Sequence, residues 1–572
     1  MSLFSLRFPV SFTPALVKSI HEGYTREGLL RDIGAGITVG IVALPLAMAF
    51  AIASGTTPDR GIFTAIVAGF LISALGGSRF QIGGPTGAFV VIVSSIVARH
   101  GYEGLVAATL LAGVFLILMG LFRFGKLLQF IPYPVTTGFT AGIGVFIFSS
   151  QLKDFFGLSM GTVPSEFLDR IVACTIALPT FSSAALGIGL LTLVTMIVVR
   201  KYAPRIPAHI VGIVIASFAA WALGIEVETV GSRFGGIPSS LPHFVPPADF
   251  MHVVVDVIPE AMTIAVLAGI ESLLSAVVAD GMTGERHDSS TELMAQGVAN
   301  IGSALFGGIP ATGAIARTAT NIRAGGRTPL AGMVHAATLT LFIVCCAPLA
   351  SRIPLPSLAA VMVVVAWDMS QFQRFCRLFH APKSDSLVLV ITFLLTVCVD
   401  LTVAVQVGVV LAAMLFMRRM SELSSIQLVG GDPGQKDAGD ALIGNANVVC
   451  YEIDGPFFFG MAQRFVDVMR FTRRTPDYLI LRMRRVPSID ATGIESLEIV
   501  IKNVRSKGIQ VYFTGVNAAV RDSLRNMGTE DLIGSENIFD NFDLARAAIQ
   551  KQELKTTTTC DVAKGFTEIP AT

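Results

Sequence analysis

The chain has 572 residues, 52% of them hydrophobic and only 15% charged, with a formal net charge of +1 and a mean hydropathy of +0.68. A soluble globule carries roughly a quarter charged residues, so this composition excludes a wholly water-exposed protein and calls for a lipid-facing surface. The balanced charge gives no footing to nucleic acid, and 7 cysteines without paired spacing give none to a disulfide framework or a zinc site.

Residues 1–30 are basic and partly aromatic and read as a cytoplasmic amphipathic segment, not a cleavable signal peptide. From 31 to 420 the chain is a series of apolar runs of membrane-spanning length, among them Gly104–Leu121, Leu186–Val199, Ile206–Leu223 and Pro329–Ala350. We count about fourteen spans. Lys18, Arg26 and Arg31 precede the first, Arg123 and Lys126 follow the fourth, and Arg418 and Arg419 follow the last. Basic residues in short loops stay on the cytoplasmic side. The expected placement is therefore a multi-pass protein of the bacterial inner membrane with both termini inside.

One element occurs twice. Gly83-Gly84-Pro85-Thr86-Gly87-Ala88 returns as Gly307-Gly308-Ile309-Pro310-Ala311-Thr312-Gly313-Ala314. An apolar helix precedes each copy. Leu46 lies near the middle of the first helix, 40 positions before Thr86, and Glu271 near the middle of the second, 41 before Thr312. Two homologous halves of seven helices each must be inverted relative to one another, and inverted repeats with Gly/Pro-broken helices mark secondary transporters.

The broken stretches carry the chemistry. Glycine and proline interrupt the helix and free backbone amides, which membrane-depth structure tolerates where the chain is buried or lines a cavity. The short helices that follow would bring their N-termini together, each with roughly +0.5 charge and free N–H donors, a ready anion site. Gly84, Gly87 and Ala88 supply close backbone, and Thr86 and Thr312 would add hydroxyls. Arg317, one turn beyond the second copy, would add positive potential; a charge at that depth is usually functional. Glu271 is the only acid in its apolar helix, LAGIESLLSAVV, and reads as a coupling-ion or proton site with Ser272 and Ser275. A buried carboxylate must be paired, protonated or near a cation.

GITVGIVALPLAMAFAIASG (36–55), GGPTGAFVVI (83–92), ESLLSAVVADGMTG (271–284), GAIARTATNIRAG (313–325) and HAPKSD (380–385) together resemble the SulP anion permeases, in particular bacterial C4-dicarboxylate transporters. The resemblance implies a polytopic α-helical 7+7 inverted repeat with core and gate domains, a homodimer, and an elevator-like motion of the core. It also implies that Thr86, Ala316 and Arg317 line the anion site. Some members carry Glu or Gln where this chain has Leu46, which moves the coupling role onto Glu271.

Residues 421–445, including GGDPG (430–434), form a linker, and 446–552 read as a soluble α/β domain with strands near Val448–Ile453, Tyr478–Met483 and Ile509–Gly515. Its Ser488-Ile489-Asp490-Ala491-Thr492-Gly493 turn resembles that of STAS domains, in whose signalling members the Thr492 position is phosphorylated. Asp490 and Thr492 are also helix N-cap candidates. Residues 553–572 are expected to be a disordered tail. The expectation is a secondary active transporter of small anions, with C4-dicarboxylate or sulfate leading, coupled to protons or sodium. It needs no other cofactor or metal, and its STAS domain could dock a cytosolic protein. A bicarbonate/chloride transporter or exchanger, and a passive channel with a signalling module, are the alternatives. The 8 histidines are dispersed and no nucleophile–base cluster argues for an enzyme.

Overall fold

The computed structural model describes residues 12–564, except 24, 126–131, 162, 165, 204–205, 237–240, 246–252, 400, 429–447, 459, 462–464 and 466–475. Lys126, most of the linker and the end of the tail lie outside the described residues. Two compact units result, Met1–Ala412 and Ala413–Thr572.

The first unit is helical. Its long elements are α1 (Arg26–Ala53), α2 (Pro58–Leu75), α3 (Phe89–Leu121), α4 (Tyr133–Phe156), α5 (Ser183–Tyr202) and α6 (Ala208–Ala222), then α7 (Ile258–Thr283), α8 (Ser289–Leu305), α9 (Ile315–Arg323), α10 (Leu330–Ala350), α11 (Leu355–Ser370), α12 (Lys383–Cys398) and α13 (Leu401–Leu423). α3 breaks at Gly101 (φ 67°, ψ −170°). Counting its two limbs separately gives seven segments in each half among the described residues. The stretch 151–180, where hydropathy alone is ambiguous, holds the end of α4 and a short helix, Phe167–Ala177.

Local chemistry sets the helix ends. The Thr25 hydroxyl accepts from Gly28 N at 3.1 Å and starts α1. Pro58 opens α2 at a position where its missing N–H costs nothing. Asp288 accepts from Ser290 N and Thr291 N, both at 3.0 Å, and starts α8. Small residues then let the helices close on one another. A Cβ on Gly113 would stand 2.7 Å from Gly297 O, and one on Gly297 would stand 2.5 Å from Gly113 O, so the second limb of α3 and α8 touch through backbone. Gly36 meets Ala331 O in the same way, at 2.5 Å, between α1 and α10.

These contacts sort the helices into two groups. α1, α2, α3, α7, α8, α9 and α10 pack chiefly among themselves, and α4, α5, α6, α11 and α12 form the other set. This is the core-and-gate arrangement. At the centre of the core set, Gly83–Gly84 (β1) and Thr312–Gly313 (β2) form a two-residue antiparallel ladder, Gly83 opposite Gly313 and Gly84 opposite Thr312.

The second unit is a five-stranded sheet in the order β3 (Ser425–Leu428), β4 (Val448–Asp454), β5 (Tyr478–Arg485), β6 (Gln510–Thr514), β7 (Ile538–Phe539). Only β3–β4 is antiparallel. Helices Ala491–Arg505, Ala518–Asn526 and Phe542–Lys564 follow β5, β6 and β7. Its core includes Ile453, Phe457, Leu481, Leu497 and Phe513, all buried.

Candidate functional site

The ladder joins the two halves at their broken helices. Because β1 and β2 run antiparallel, the helices that follow leave in opposite directions, N-terminus towards N-terminus. No side chain caps α3 or α9, so the first N–H groups of each have only backbone or a ligand to meet. In the first copy Phe89 N and Val90 N fold back onto Thr86 O (3.3 Å) and Gly87 O (3.1 Å). In the second, Ile315 and Ala316 are exposed at the helix start, so the α9 end is the more open of the two.

The two copies of the motif are used in different register. The first contributes Gly83–Gly84 to the ladder and the second Thr312–Gly313. Proline explains the offset. Pro85 directly follows Gly84 and has no N–H to extend the ladder, so the first strand stops before Thr86. Pro310 precedes Thr312 by two residues, so the second strand begins after it.

That offset separates the two threonines. Thr86 is half-buried and its hydroxyl donates to Glu271 Oε2 at 2.9 Å. Thr312 is fully buried and its hydroxyl donates to Ala268 O at 2.8 Å, a helix carbonyl and not the anion space. Ser275, expected beside Glu271, instead donates to Thr318 Oγ1 at 3.0 Å. Ser272 turns away too, donating to Glu292 Oε1 at 3.2 Å. Glu271 thus meets Thr86 across the repeat without either serine.

Arg317 is 3% exposed. Its Nη2 donates to Pro85 O at 2.6 Å and its Nη1 to Gly83 O at 3.3 Å. Among the described residues no carboxylate lies within 4.0 Å of the guanidinium, in contrast to Arg79 and Arg233. Among the described residues its positive charge thus has no ion-pair partner, and it is held by the β1 turn's carbonyls alone. Gly84 makes room for it: at φ +146°, a Cβ there would lie 2.2 Å from Arg317 Nη1. Gly87 is the close approach to the gate helices, since its Cβ would stand 2.6 Å from Met369 Sδ and 3.2 Å from Ile147 Cδ1; Phe50 Cε1 of α1, in its own set, lies at 3.2 Å too. Ala88 is the buried N-cap residue of α3, and Leu46 is buried in α1.

The extended stretches are held by side chains that sequence reading did not single out. Asn300 brackets Ala311, its Oδ1 accepting from the amide and its Nδ2 donating to the carbonyl, both at 2.9 Å. Thr64 Oγ1 accepts from Ile309 N at 2.7 Å and Ser303 donates to Ile309 O at 2.7 Å. Tyr102 donates to Gly308 O at 2.9 Å, with the Arg60 guanidinium 3.2 Å over its ring. Gln81 Nε2 donates to Ser272 Oγ at 2.6 Å. Glu292, fully buried, accepts from Gly77 N (2.9 Å) and Ser78 N (3.1 Å). Buried backbone must be paired, and here the broken chain is paired partly by its own half, through Asn300 and Ser303, and partly by the other, through Thr64, Tyr102 and Glu292. Polar residues inside apolar helices were the available signal.

In the second unit Asp490 caps Ala491–Arg505, its Oδ1 accepting from Gly493 N at 2.7 Å. Thr492 is exposed in the first turn and leaves the capping to Asp490. Gly493 admits no side chain, since its Cβ would lie 2.4 Å from Phe457 O. Burial pushes the Cys450 thiol up to about 12, which leaves it unreactive. The Arg521 hydrogen bond, with help from Arg525, holds the Glu530 carboxyl below the usual range.

Comparison with known proteins places both units in known families. Residues 29–392 match the sulfate permease family and 441–545 match the STAS domain. The protein of Bacillus subtilis (strain 168) named "Putative sulfate transporter YvdB" is 40% identical over 524 residues, covering 91% of this chain and 98% of its own. The bicarbonate transporter BicA of Picosynechococcus sp. is 32% identical, over 87% of this chain and 90% of its own. Murine Slc26a9, an anion transporter solved in an inward-facing state, superposes with a TM-score of 0.84 over 96% of each chain at 18% identity, a likeness of fold.

Proposed function

The chain belongs to the sulfate permease family of membrane anion transporters, and from that premise we propose that it is a secondary active transporter of small oxyanions. Sulfate or a C4-dicarboxylate is the substrate of the proposal, with bicarbonate as the next test. One observation carries it: the Arg317 charge, buried with no carboxylate partner among the described residues, beside the N-termini of α3 and α9. A buried charge without a counter-ion is costly. An anion held between Thr86, Ala316 and the α9 amides, in the potential of Arg317, offsets that cost.

A dianion against one positive charge leaves the site negative, which favours cation symport. Glu271 is the group that takes the proton or sodium, and its contact with Thr86 links the coupling ion to the substrate site. The core set carrying both repeats moves as one body along the gate set, and Gly87 against Met369 and Ile147 is where the two slide. Both termini face the cytoplasm in this reading, which the basic residues Arg26, Arg31, Arg123, Arg418 and Arg419 at the ends of apolar spans support. The transporter acts as a homodimer, and the STAS unit offers Thr492 to a cytosolic partner or kinase. Uptake of labelled sulfate, succinate and bicarbonate into proteoliposomes under imposed proton or sodium gradients tests the reading. Downhill flux that no gradient can drive uphill would make the protein a passive anion pathway instead.

A further inference from the structure

His335 sits in α10, in the apolar run LAGMVHAATLT, and is 0% exposed. Neither of its ring nitrogens has a hydrogen-bond partner among the described residues. Other buried amides nearby, Gln81, Gln296 and Asn321, each leave one atom unpaired but bond through the other. His335 bonds through none. A buried imidazole carries at least one N–H donor whatever its tautomer, and an unmade bond in such a place calls for a reason.

Its position supplies one. The ring lies over Gly69 of α2, where an added Cβ would stand 3.7 Å from Cδ2, 3.9 Å from Nε2 and 3.2 Å from Gly83 O. Because residue 69 is a glycine, the Nε2 edge of the imidazole and the Gly83 carbonyl both border the same stretch of bare backbone, with no side chain at residue 69 between them. Gly83 O is the carbonyl that Arg317 Nη1 holds at 3.3 Å, the longer of that residue's two bonds to the β1 turn. If Arg317 turns to an anion beside Thr86, this longer bond is the one to loosen, and the buried Gly83 carbonyl then needs another donor.

We infer that His335 is a positioning residue for anion binding: it takes over the Gly83 carbonyl when Arg317 turns to the anion. In the arrangement seen here Arg317 holds Gly83 O, and His335 makes no hydrogen bond among the described residues. In the loaded site His335 Nε2–H donates to Gly83 O, β1 keeps its shape, and the guanidinium is free to face the substrate. The unpaired ring is the reserve that makes the exchange possible. The inference rests on the anion site proposed above.

The test compares wild type with His335→Phe, which keeps a ring of similar size but has no N–H, and His335→Gln, whose amide N–H reaches where Nε2 does. Full-length protein is purified and its Tm measured with and without sulfate, succinate and bicarbonate. KM and kcat for whichever anion shifts the wild type are then measured in proteoliposomes. The expected result is that H335F has an anion-free Tm equal to or above wild type, because an idle polar group has been removed. Its anion-induced Tm shift is smaller and its KM is raised about tenfold, while H335Q restores KM to within about threefold. An H335F protein with a lowered anion-free Tm and an unchanged KM would make His335 a packing residue and overturn the inference, as would equal behaviour of H335F and H335Q. A wild type whose Tm and uptake respond to none of the anions overturns the anion-site reading itself, and with it the premise.

Discussion

The Thr86 hydroxyl donates to Glu271 Oε2 at 2.9 Å, joining positions 185 apart and on opposite halves of the repeat. Thr86 also stands at the turn into α3, so a change in the charge of Glu271 is felt by a group placed to touch the anion. Neutralising Glu271 should therefore separate transport from coupling. E271Q is expected to bind and exchange anion within about threefold of wild type in KM, yet to lose accumulation driven by an imposed proton or sodium gradient. Counterflow and gradient-driven uptake, measured side by side, check this. Full gradient-driven uptake by E271Q would remove Glu271 from the coupling role.

Thr86→Val keeps the shape and removes a hydroxyl that is free to donate to the anion once a protonated Glu271 donates to it instead of accepting from it. One hydrogen bond to a charged or polar ligand is worth ~1–1.5 kcal/mol, so apparent affinity should fall about tenfold. Thr312→Val should leave affinity unchanged, because its hydroxyl is spent on Ala268 O. Transport kinetics of the two variants decide whether the threonines differ as the ladder register says they do.

Gly84→Ala tests the room made for Arg317. A side chain at φ +146° carries backbone strain of ~1–3 kcal/mol, and its Cβ would overlap the guanidinium. We expect a folded but destabilised protein, its uptake reduced at least as much as that of R317Q. Size-exclusion profile and Tm verify folding before uptake is compared.

The STAS unit has its own acid sensitivity. Glu530 is buried between Arg521 and Arg525, its Oε1 accepting from Arg521 Nε at 3.0 Å and its Oε2 from Arg525 Nε at 3.0 Å. Those partners lower its folded pKa below the ~4.3 of an unfolded glutamate. Its stabilising contribution is therefore complete above the unfolded value and is lost as pH falls through the folded one. Hydrogen exchange across 518–533 in the full-length protein, corrected for intrinsic rates, should show protection constant from pH 7 to about 5 and falling below about 4. In E530Q, protection should already be lower at pH 7 and should lose most of that acid dependence.

At the Asp490 turn, D490A should destabilise the STAS unit by ~1 kcal/mol through the lost cap. T492E should leave its stability unchanged or raise it slightly, because an exposed negative charge in a first helical turn is favoured. Differential unfolding of the two variants separates capping from signalling at this turn. A large loss in T492E would show that Thr492 is structural.

Much of this was legible in the chain because membrane physics leaves loud marks. Apolar runs gave the helices, and the doubled Gly/Pro element with Glu271 and Arg317 located the site. Side-chain direction was less legible. Thr86 and Thr312 occupy matching places in the motif, yet one faces Glu271 and the other Ala268, because Pro85 and Pro310 stop and start the strands three residues out of step. Thr64, Tyr102 and Glu292 lie in ordinary-looking helical contexts. Their work is to pair backbone that is distant in sequence, and no local pattern announces such a partner. Leu46 was informative as a departure, since its side chain is buried and apolar where an acid would compete with Glu271.

The most direct measurement is accumulation of labelled sulfate, succinate or bicarbonate in proteoliposomes against its own gradient, driven by protons or sodium, for wild type and R317Q. The account predicts that at least one of these anions is accumulated by wild type under one of the two gradients, and that R317Q, equally folded, accumulates none. Accumulation by R317Q at the wild-type rate, or no gradient-driven accumulation of any of the three by wild type, would contradict it.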